Sequence, residues 1–321
     1  MTHANRPVPP GLLAAYDDVL AAHWPAGTSS SLANRPVPPG LLAAYDDVLA
    51  AHWPAGTSSS LVPTPYGATH VNSCGPVGAP PLVLLPGGGA TSTVWSAQAS
   101  LLGRTHRIHA VDLVGEPGRS VRGERPIRTV ADLNAWLDAL LGGLGVESAA
   151  LCGHSYGGWI ALRYSLYAPR RVGRLVLVDP TGCFAGLRPG YLLRALPMLL
   201  RPTVRRSRAF LDWETGGVSP DPARARLRDE AVGFPSARPV TGPRPSPGQL
   251  RGLRTRTLVL LAGDSRAHDA GRVAARAARL LPDAETVTLP GATHHSLPQT
   301  DPGASEVGLR MEEFLSARAR P

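Results

Sequence analysis

One stretch constrains this chain more than any other: Leu151-Cys152-Gly153-His154-Ser155-Tyr156-Gly157-Gly158. It contains the pattern G-x-S-x-G, an apolar run at residues 149–152 leads into it, and residues 159–168 have helical spacing. Glycine on both sides of the serine permits a sharp turn and close approach of neighbouring elements. A serine at such a strand-to-helix corner is strained with its hydroxyl exposed, so the pattern predicts a nucleophile at Ser155. The alternative is a glycine-rich turn with an incidental serine.

The composition favours a globular protein that does not bind nucleic acid. The chain has 321 residues, 43% of them hydrophobic, enough for one large α/β domain with an insertion or for two small domains. The net charge is +9, with arginine in place of lysine throughout, and the arginines lack the aromatic neighbours that stack on bases. The three cysteines (Cys74, Cys152 and Cys183) cannot complete a disulfide framework and have no metal-ligand spacing.

The sequence also bears on location. It does not open on a basic region followed by an apolar one, and it has no run of about 18 apolar residues. We therefore expect no transmembrane segment and a reducing, cytoplasmic location. The oligomeric state stays open.

The N-terminal segment, residues 1–61, carries a tandem duplication. Residues 4–32 recur letter for letter as residues 33–61. Repeat folds need at least three units whose sequences diverge, so one perfect copy indicates a recent duplication. We expect the second copy to pack on the domain and the first to be loosely held or disordered. We expect neither copy to contribute a residue to the active site.

After residue 61 a hairpin around Tyr66-Gly67 comes first, and short apolar strands then alternate with helices. Such alternation indicates an α/β fold with a mostly parallel, doubly wound sheet covered on both faces, formed by residues 62–179 and 257–321. The predicted strands lie at residues 82–85, 107–113, 149–152, 174–178, 257–262 and 285–289, and predicted helices lie at 129–141, 273–281 and 306–317.

The alternation stops in residues 180–256, which are rich in Arg, Pro and Gly. We expect this insertion to form a mainly helical cap over the carboxyl ends of the strands, where open α/β sheets place their sites. The spacing of residues 191–200 predicts a cap helix whose leucine face packs against the domain beneath it. A membrane-surface helix is the alternative.

Acyl transfer needs a nucleophile, a base, a group that orients the base, and donors for the oxyanion. His294 follows the predicted strand end at Leu289 by five residues, on a loop where a base is expected. The adjacent His295 is the competing candidate. His154 adjoins Ser155, and we expect its side chain to point away from that of the serine.

Together these stretches resemble the α/β-hydrolase superfamily, with its serine esterases and lipases. The matching positions run from Pro86-Gly87-Gly88 through Ser155 and the loop around Asp264 to Gly291-Ala292-Thr293-His294, in the order Ser, Asp, His. The family usually has His-Gly-x in the first loop, where this chain has Pro86. Because the donor there is a backbone amide, the resemblance assigns the oxyanion hole to the amides of Gly88 and Tyr156. It implies neither a metal nor an organic cofactor.

The acid departs from the family pattern. Relatives most often have Asp three residues after a glycine that ends the strand following the cap, and this chain has Arg266 there. Asp264, nearest the strand end, is our first choice for the triad acid. Asp179, at the end of the preceding strand, is the alternative acid, and Asp269 is better explained as a helix N-cap.

The resemblance implies a serine hydrolase that cleaves a carboxylic ester, thioester or lactone through an acyl-enzyme, with a Ser155-His294-Asp264 triad. A cofactor-free haloperoxidase or perhydrolase would use the same triad, and a catalytically silent ligand-binding protein could share the fold. A haloalkane dehalogenase is disfavoured because its nucleophile is a carboxylate. The expected partner is a moderately apolar small molecule, since the cap is rich in leucine near residues 191–200.

Overall fold

We describe residues 37–218, 221–299 and 303–317 of a computed structural model. The first copy of the duplicated segment, which we expected to be loosely held or disordered, lies outside these residues. The strands are β1 Ser58–Thr64, β2 Gly67–Cys74, β3 Pro81–Leu85, β4 Arg107–Val111, β5 Val121–Arg122, β6 Ala149–His154, β7 Val172–Val178, β8 Arg256–Ala262 and β9 Ala284–Leu289. The α-helices are α1 Pro39–His52, α2 Ser96–Leu102, α3 Val130–Gly143, α4 Tyr156–Tyr167, α5 Pro189–Leu200, α6 Val204–Thr215, α7 Pro222–Ala231, α8 Pro247–Gly252, α9 Ala270–Leu280 and α10 Gly303–Ser316.

The strands of the described chain form one sheet in the order β1-β2-β4-β3-β6-β7-β8-β9, with β5 paired to β2. From β4 to β9 every neighbouring pair is parallel, whereas β2 pairs antiparallel with β1, β4 and β5. The prediction of a mostly parallel α/β sheet is therefore confirmed. Because parallel strands end at the same edge, the loops after β3, β6, β7, β8 and β9 meet there.

Two apolar layers enclose the sheet. One face packs against α3, α4 and α9, where Trp136, Leu137 and Ile160 are buried. The opposite face packs against α2 and α10, where Leu102, Met311 and Phe314 are buried. The central strands contribute side chains to both layers, which is why they are continuously apolar in sequence.

The second copy of the duplicated segment supplies α1 and most of β1. Apolar residues at helical spacing, Leu41, Ala44, Tyr45 and Val48, form the buried face of α1 and cluster with Leu227 of α7. The Tyr45 hydroxyl accepts a 2.6 Å hydrogen bond from the Asn72 amide. This copy thus joins the sheet to the helices that follow β7.

The chain between β7 and β8 forms the helices α5 to α8, and its described residues include no strand. Helix α5 packs against α6 and buries Leu192 and Ala195, while Leu193 is exposed. We refer to residues 180–256 as the cap. Among the described residues, none of the helices is both long and apolar enough to span a membrane.

The turn between β6 and α4 depends on glycine. A Cβ atom on Gly153 would lie 2.2 Å from the carbonyl oxygen of Gly157. A Cβ atom on Gly157 would lie 2.3 Å from the carbonyl oxygen of Leu85, at the end of β3. Real Cβ atoms do not approach backbone oxygens so closely, so only glycine lets α4 begin against the neighbouring strand.

We predict that Gly157→Ala lowers the free energy of unfolding by about 2–3 kcal/mol, because backbone would have to move to admit the methyl group. Gly142→Ala is the matched control: it adds a methyl group on the exposed side of α3 with no atom within 4 Å. That control should gain about 0.5–1 kcal/mol from helix propensity. Urea unfolding measures both, and equal stabilities would contradict the account.

Candidate active site

Ser155 occupies the corner between β6 and α4. Its φ angle is 51°, and Asp179, directly after β7, has φ 41°; within the described chain these are the two residues other than glycine with positive φ. The Ser155 amide donates to the carbonyl of Val178 (3.0 Å), which ties the corner to the adjacent strand. Left-handed backbone is unfavourable for such residues and concentrates at functional positions.

His294 lies on the loop after β9 with 2% of its surface exposed. Its Nε2 atom is 2.9 Å from the Ser155 hydroxyl oxygen. The competing candidate, His295, instead directs its Nε2 atom toward the Tyr191 hydroxyl of the cap, at 3.3 Å. The structure therefore brings His294 and Ser155 together, as the sequence predicted.

The structure does not bring the first choice for the acid, Asp264, to His294. Asp264 is exposed, and its backbone amide donates to the carbonyl of Ala292. The carboxylate that contacts His294 belongs to Asp179, the alternative candidate, whose Oδ2 atom accepts a hydrogen bond from Nδ1 at 2.6 Å. Since a carboxylate only accepts, Nδ1 carries the proton, and Nε2 keeps its lone pair for the Ser155 hydroxyl.

Asp179 is fully buried, and its carboxylate accepts hydrogen bonds from the end of β8 and from the loop that follows β8. Its Oδ1 atom accepts from the amide of Ala262, and its Oδ2 atom accepts from the hydroxyl of Ser265. A second imidazole, that of His268, lies 3.2 Å from Oδ1. Burial by itself raises the pKa of Asp179, but His268 and His294 outweigh it and hold the pKa below its usual range. The carboxylate is therefore ionised where it orients His294.

Sequence reasoning missed Ser265 and His268 because it placed the acid on their loop. A usable signal was present: Asp179 follows β7 directly, and the residues after β8 follow the next strand in the sheet. Parallel strands bring these positions to one edge. The loop after β8 thus supplies partners for the acid, and the acid itself comes from the end of β7.

The residues assigned to the oxyanion hole lie side by side. A Cβ atom built on Gly88 would lie 3.9 Å from the Cβ atom of Tyr156. Tyr156 is the first residue of α4, so its amide has no acceptor within the helix. Pro86 and Gly87 precede Gly88 in the loop after β3, and the Gly87 carbonyl accepts from the amide of Ala90. A Cβ atom built on Gly87 would lie 3.3 Å from the Cβ atom of Ser155, so the loop that contains Gly88 lies against the corner that holds Ser155.

Glu116 forms a hydrogen bond with the loop that contains Gly88. Its side chain is buried, and Oε2 accepts a 2.9 Å hydrogen bond from the amide of Gly89. Burial raises the pKa of Glu116 to about 7, against the lowering effects of that amide and of the Arg122 charge. A carboxyl group that titrates near neutrality therefore lies directly against the loop that contains Gly88.

Two side chains form hydrogen bonds with the backbone of His294, one with its carbonyl oxygen and one with its amide. His154 directs Nε2 at the His294 carbonyl oxygen, 2.9 Å away. Burial lowers the pKa of His154 to about 3, so its ring is neutral and donates from Nε2. The His154 ring also lies against that of His294, with the ring centroids 4.8 Å apart. At the other end, Glu214 of α6 accepts the His294 amide at 2.9 Å.

Among the described residues, the side chains of Asp179, His268 and His294 offer donor atoms within 4.8 Å of one another. Two ligands bound to one zinc ion at about 2.1 Å in tetrahedral geometry lie roughly 3.4 Å apart. The 2.6 Å separation of His294 Nδ1 and Asp179 Oδ2 fits a direct hydrogen bond with the proton between them. The arrangement fits an oriented imidazole better than a metal centre.

Comparison with known proteins gives a family and several similar sequences. A model of the alpha/beta hydrolase family matches residues 82–305. The chain is 32% identical to the carboxylesterase YbfK of Bacillus subtilis over 155 residues, 48% of this chain and 51% of the relative. It is 28% identical to the uncharacterized carboxylesterase nap of the same organism over 252 residues, 73% of this chain and 79% of the relative.

Solved structures extend the similarity over more of the chain. The crystal structure of carboxylesterase CesB (YbfK) from Bacillus subtilis superposes with a TM-score of 0.80 and 26% identity, covering 87% of this chain and 98% of that one. The sequence match to YbfK spans about half of that relative's length. The chain belongs to the alpha/beta hydrolase family.

We predict that Glu116→Gln removes a pH dependence of stability. A carboxyl with a folded pKa of about 7, against 4.5 ordinarily, stabilises the fold when neutral. That contribution is complete below pH 4.5 and is lost as the pH rises through 7. The unfolding free energy of the wild type should therefore fall by up to about 3 kcal/mol relative to the variant across this window.

Urea unfolding at several pH values tests this, and the glutamine keeps an oxygen for the Gly89 amide. Glu124→Gln, at an exposed position on the same connection, controls for the loss of one negative charge. Parallel stability curves for wild type and Glu116→Gln would contradict the raised pKa.

Proposed function

We propose that this protein is a serine hydrolase that cleaves carboxylic esters through an acyl-enzyme, with Ser155, His294 and Asp179 as its triad. The observation that carries the proposal is the continuous contact from Ser155 Oγ to His294 Nε2 and from His294 Nδ1 to Asp179 Oδ2. The similarity to carboxylesterases supports the same class of reaction.

In the first half of the reaction, the Ser155 hydroxyl attacks the ester carbonyl as its proton moves to His294 Nε2. Asp179 then faces an imidazolium, whose charge its ionised carboxylate stabilises. The carbonyl oxygen becomes an oxyanion beside the amides of Gly88 and Tyr156, at the positive end of α4. Collapse of this intermediate expels the alcohol, which takes the proton from Nε2, and leaves an acyl group on Ser155.

In the second half, His294 Nε2 takes a proton from water, and the hydroxide formed attacks the acyl carbonyl. The same two amides face the second oxyanion. When this intermediate collapses, the Ser155 oxygen leaves and recovers a proton from Nε2, and the carboxylic acid departs. Each half returns His294 to its starting tautomer.

The side of the site that faces the cap is aromatic. Tyr191 of α5 and Phe210 of α6 pack with ring centroids 5.3 Å apart, and the Tyr191 ring lies 6.3 Å from that of His294. Trp213 joins this group at 5.9 Å from Phe210. We infer that the substrate carries a moderately apolar acyl or alcohol group, since these rings would contact it by dispersion and apolar burial.

A fluorophosphonate probe tests the nucleophile and the base. We expect wild type to be labelled and to hydrolyse p-nitrophenyl butyrate, and Ser155→Ala to do neither, with kcat at least about 10³-fold lower. His294→Gln should also lose labelling. His295→Gln is the matched control, because it removes the neighbouring imidazole and should keep labelling. An unlabelled wild type, or a labelled Ser155→Ala variant, would contradict the proposal.

A further inference from the structure

A buried carboxylate from the cap binds the loop that carries His294. Glu214, in the last turn of α6, has no exposed surface. One of its oxygens accepts the amide of His294 at 2.9 Å, and the other accepts the amide of His295 at 3.2 Å and the hydroxyl of Thr293 at 3.1 Å. Three consecutive residues of the loop thus donate to one side chain.

Burial disfavours the ionised form of Glu214, and the contacts with the loop act against that effect. Burial raises the pKa of Glu214, and the charge of His294 together with the three hydrogen bonds offsets that rise only in part. A raised pKa means that ionisation of this carboxyl opposes folding. Both of its oxygens accept amide N–H groups, and the ionised form accepts all three donors at once. An apolar side chain at this position would leave these three donors without their acceptor, which itself costs free energy.

From this geometry we propose that Glu214 is a positioning residue: it fixes the backbone of His294 and places a second negative charge, besides Asp179, beside the imidazolium formed during the reaction. The proposal rests on the proposed function for its kinetic consequences. Because the carboxylate belongs to α6, the cap is part of the machinery that holds the base.

The His294 carbonyl is already held by His154 of β6, so the peptide is fixed from the sheet at one end and from the cap at the other. A displacement of about 1 Å in a reacting group can lower a rate by about 100-fold. Loss of Glu214 frees the amide end of this residue while the carbonyl end stays anchored. The imidazole should then lose its alignment with Ser155, while the aromatic side chains that face the substrate stay in place.

The test compares Glu214→Gln with Asp212→Asn, which removes a negative charge from an exposed position on the same helix. In Glu214→Gln we expect kcat for p-nitrophenyl butyrate to fall by about 10- to 100-fold with KM within about threefold of wild type. The acidic limb of the kcat profile should move to lower pH, because a negative charge near the imidazolium has been removed. Asp212→Asn should change neither quantity.

The other titratable groups that face this loop are left intact in both variants, so the shift of the limb reports on Glu214 alone. They are His154 from β6, Asp179 and His268 from the ends of β7 and β8, His295 beside the base, and Arg228 from α7. Thr293→Val is a milder second variant that removes one of the three donors and keeps the charge. It should lower kcat by less and leave the acidic limb in place.

Amide hydrogen exchange measures how well Glu214 holds these amides, and it does not depend on catalytic activity. Exchange at His294 and His295 should speed up in Glu214→Gln and stay at the wild-type rate in Asp212→Asn. Wild-type kcat and an unmoved acidic limb in Glu214→Gln would overturn the positioning role. If the wild type cleaves no ester, the proposed function fails by itself, and unchanged exchange at these two amides would then overturn the Glu214 inference as well.

Discussion

The hydrogen bond between His294 Nδ1 and Asp179 Oδ2, at 2.6 Å, is the contact on which the rest of the site depends. It fixes the tautomer of the imidazole, so Nε2 meets the Ser155 hydroxyl as an acceptor. Asp179 can play this part because the Ala262 amide, the Ser265 hydroxyl and His268 surround its carboxylate. Without those partners a fully buried carboxyl would become neutral, and the imidazole would lose its orientation.

The sheet makes this contact possible through strain at two neighbouring strand ends. Ser155 follows β6 and Asp179 follows β7, and both have positive φ, with the Ser155 amide tied to the Val178 carbonyl. Both residues lie at the same edge of the sheet, and His294, on the loop after β9, contacts both of their side chains. Backbone strain of this kind persists only where surrounding contacts impose it, and here those are the glycine contacts of the turn and the parallel pairing of β6 with β7.

Much of the fold was predictable, because continuous apolar strands alternating with helices leave few arrangements other than a covered parallel sheet. Ser155 and His294 were predictable for a similar reason: each lies beside a local pattern, a Gly-x-Ser-x-Gly turn or a loop just after a strand. Asp179 was ranked second because sequence order does not reveal which of two adjacent strand ends faces the imidazole. That choice depends on side-chain direction, and Asp264 points to solvent.

Glu214 and His268 were out of reach for a different reason. Both lie in segments whose sequence resembles ordinary surface, and only tertiary packing turns them into buried polar groups against His294 and Asp179. A charged residue in the last turn of a cap helix carries no local signal that it will accept three donors from a loop 80 residues further along the chain. Long-range polar contacts of this kind have no period and no motif.

The value of kcat in two matched variants shows whether Asp179 orients the base. Asp179→Asn keeps the size of the side chain and removes its charge, and Asp264→Asn makes the same change at the exposed candidate. If Asp179 orients His294, kcat for p-nitrophenyl butyrate should fall by about 10³- to 10⁴-fold in Asp179→Asn and stay within about threefold of wild type in Asp264→Asn. Near-normal turnover in Asp179→Asn, with collapse in Asp264→Asn, would contradict it.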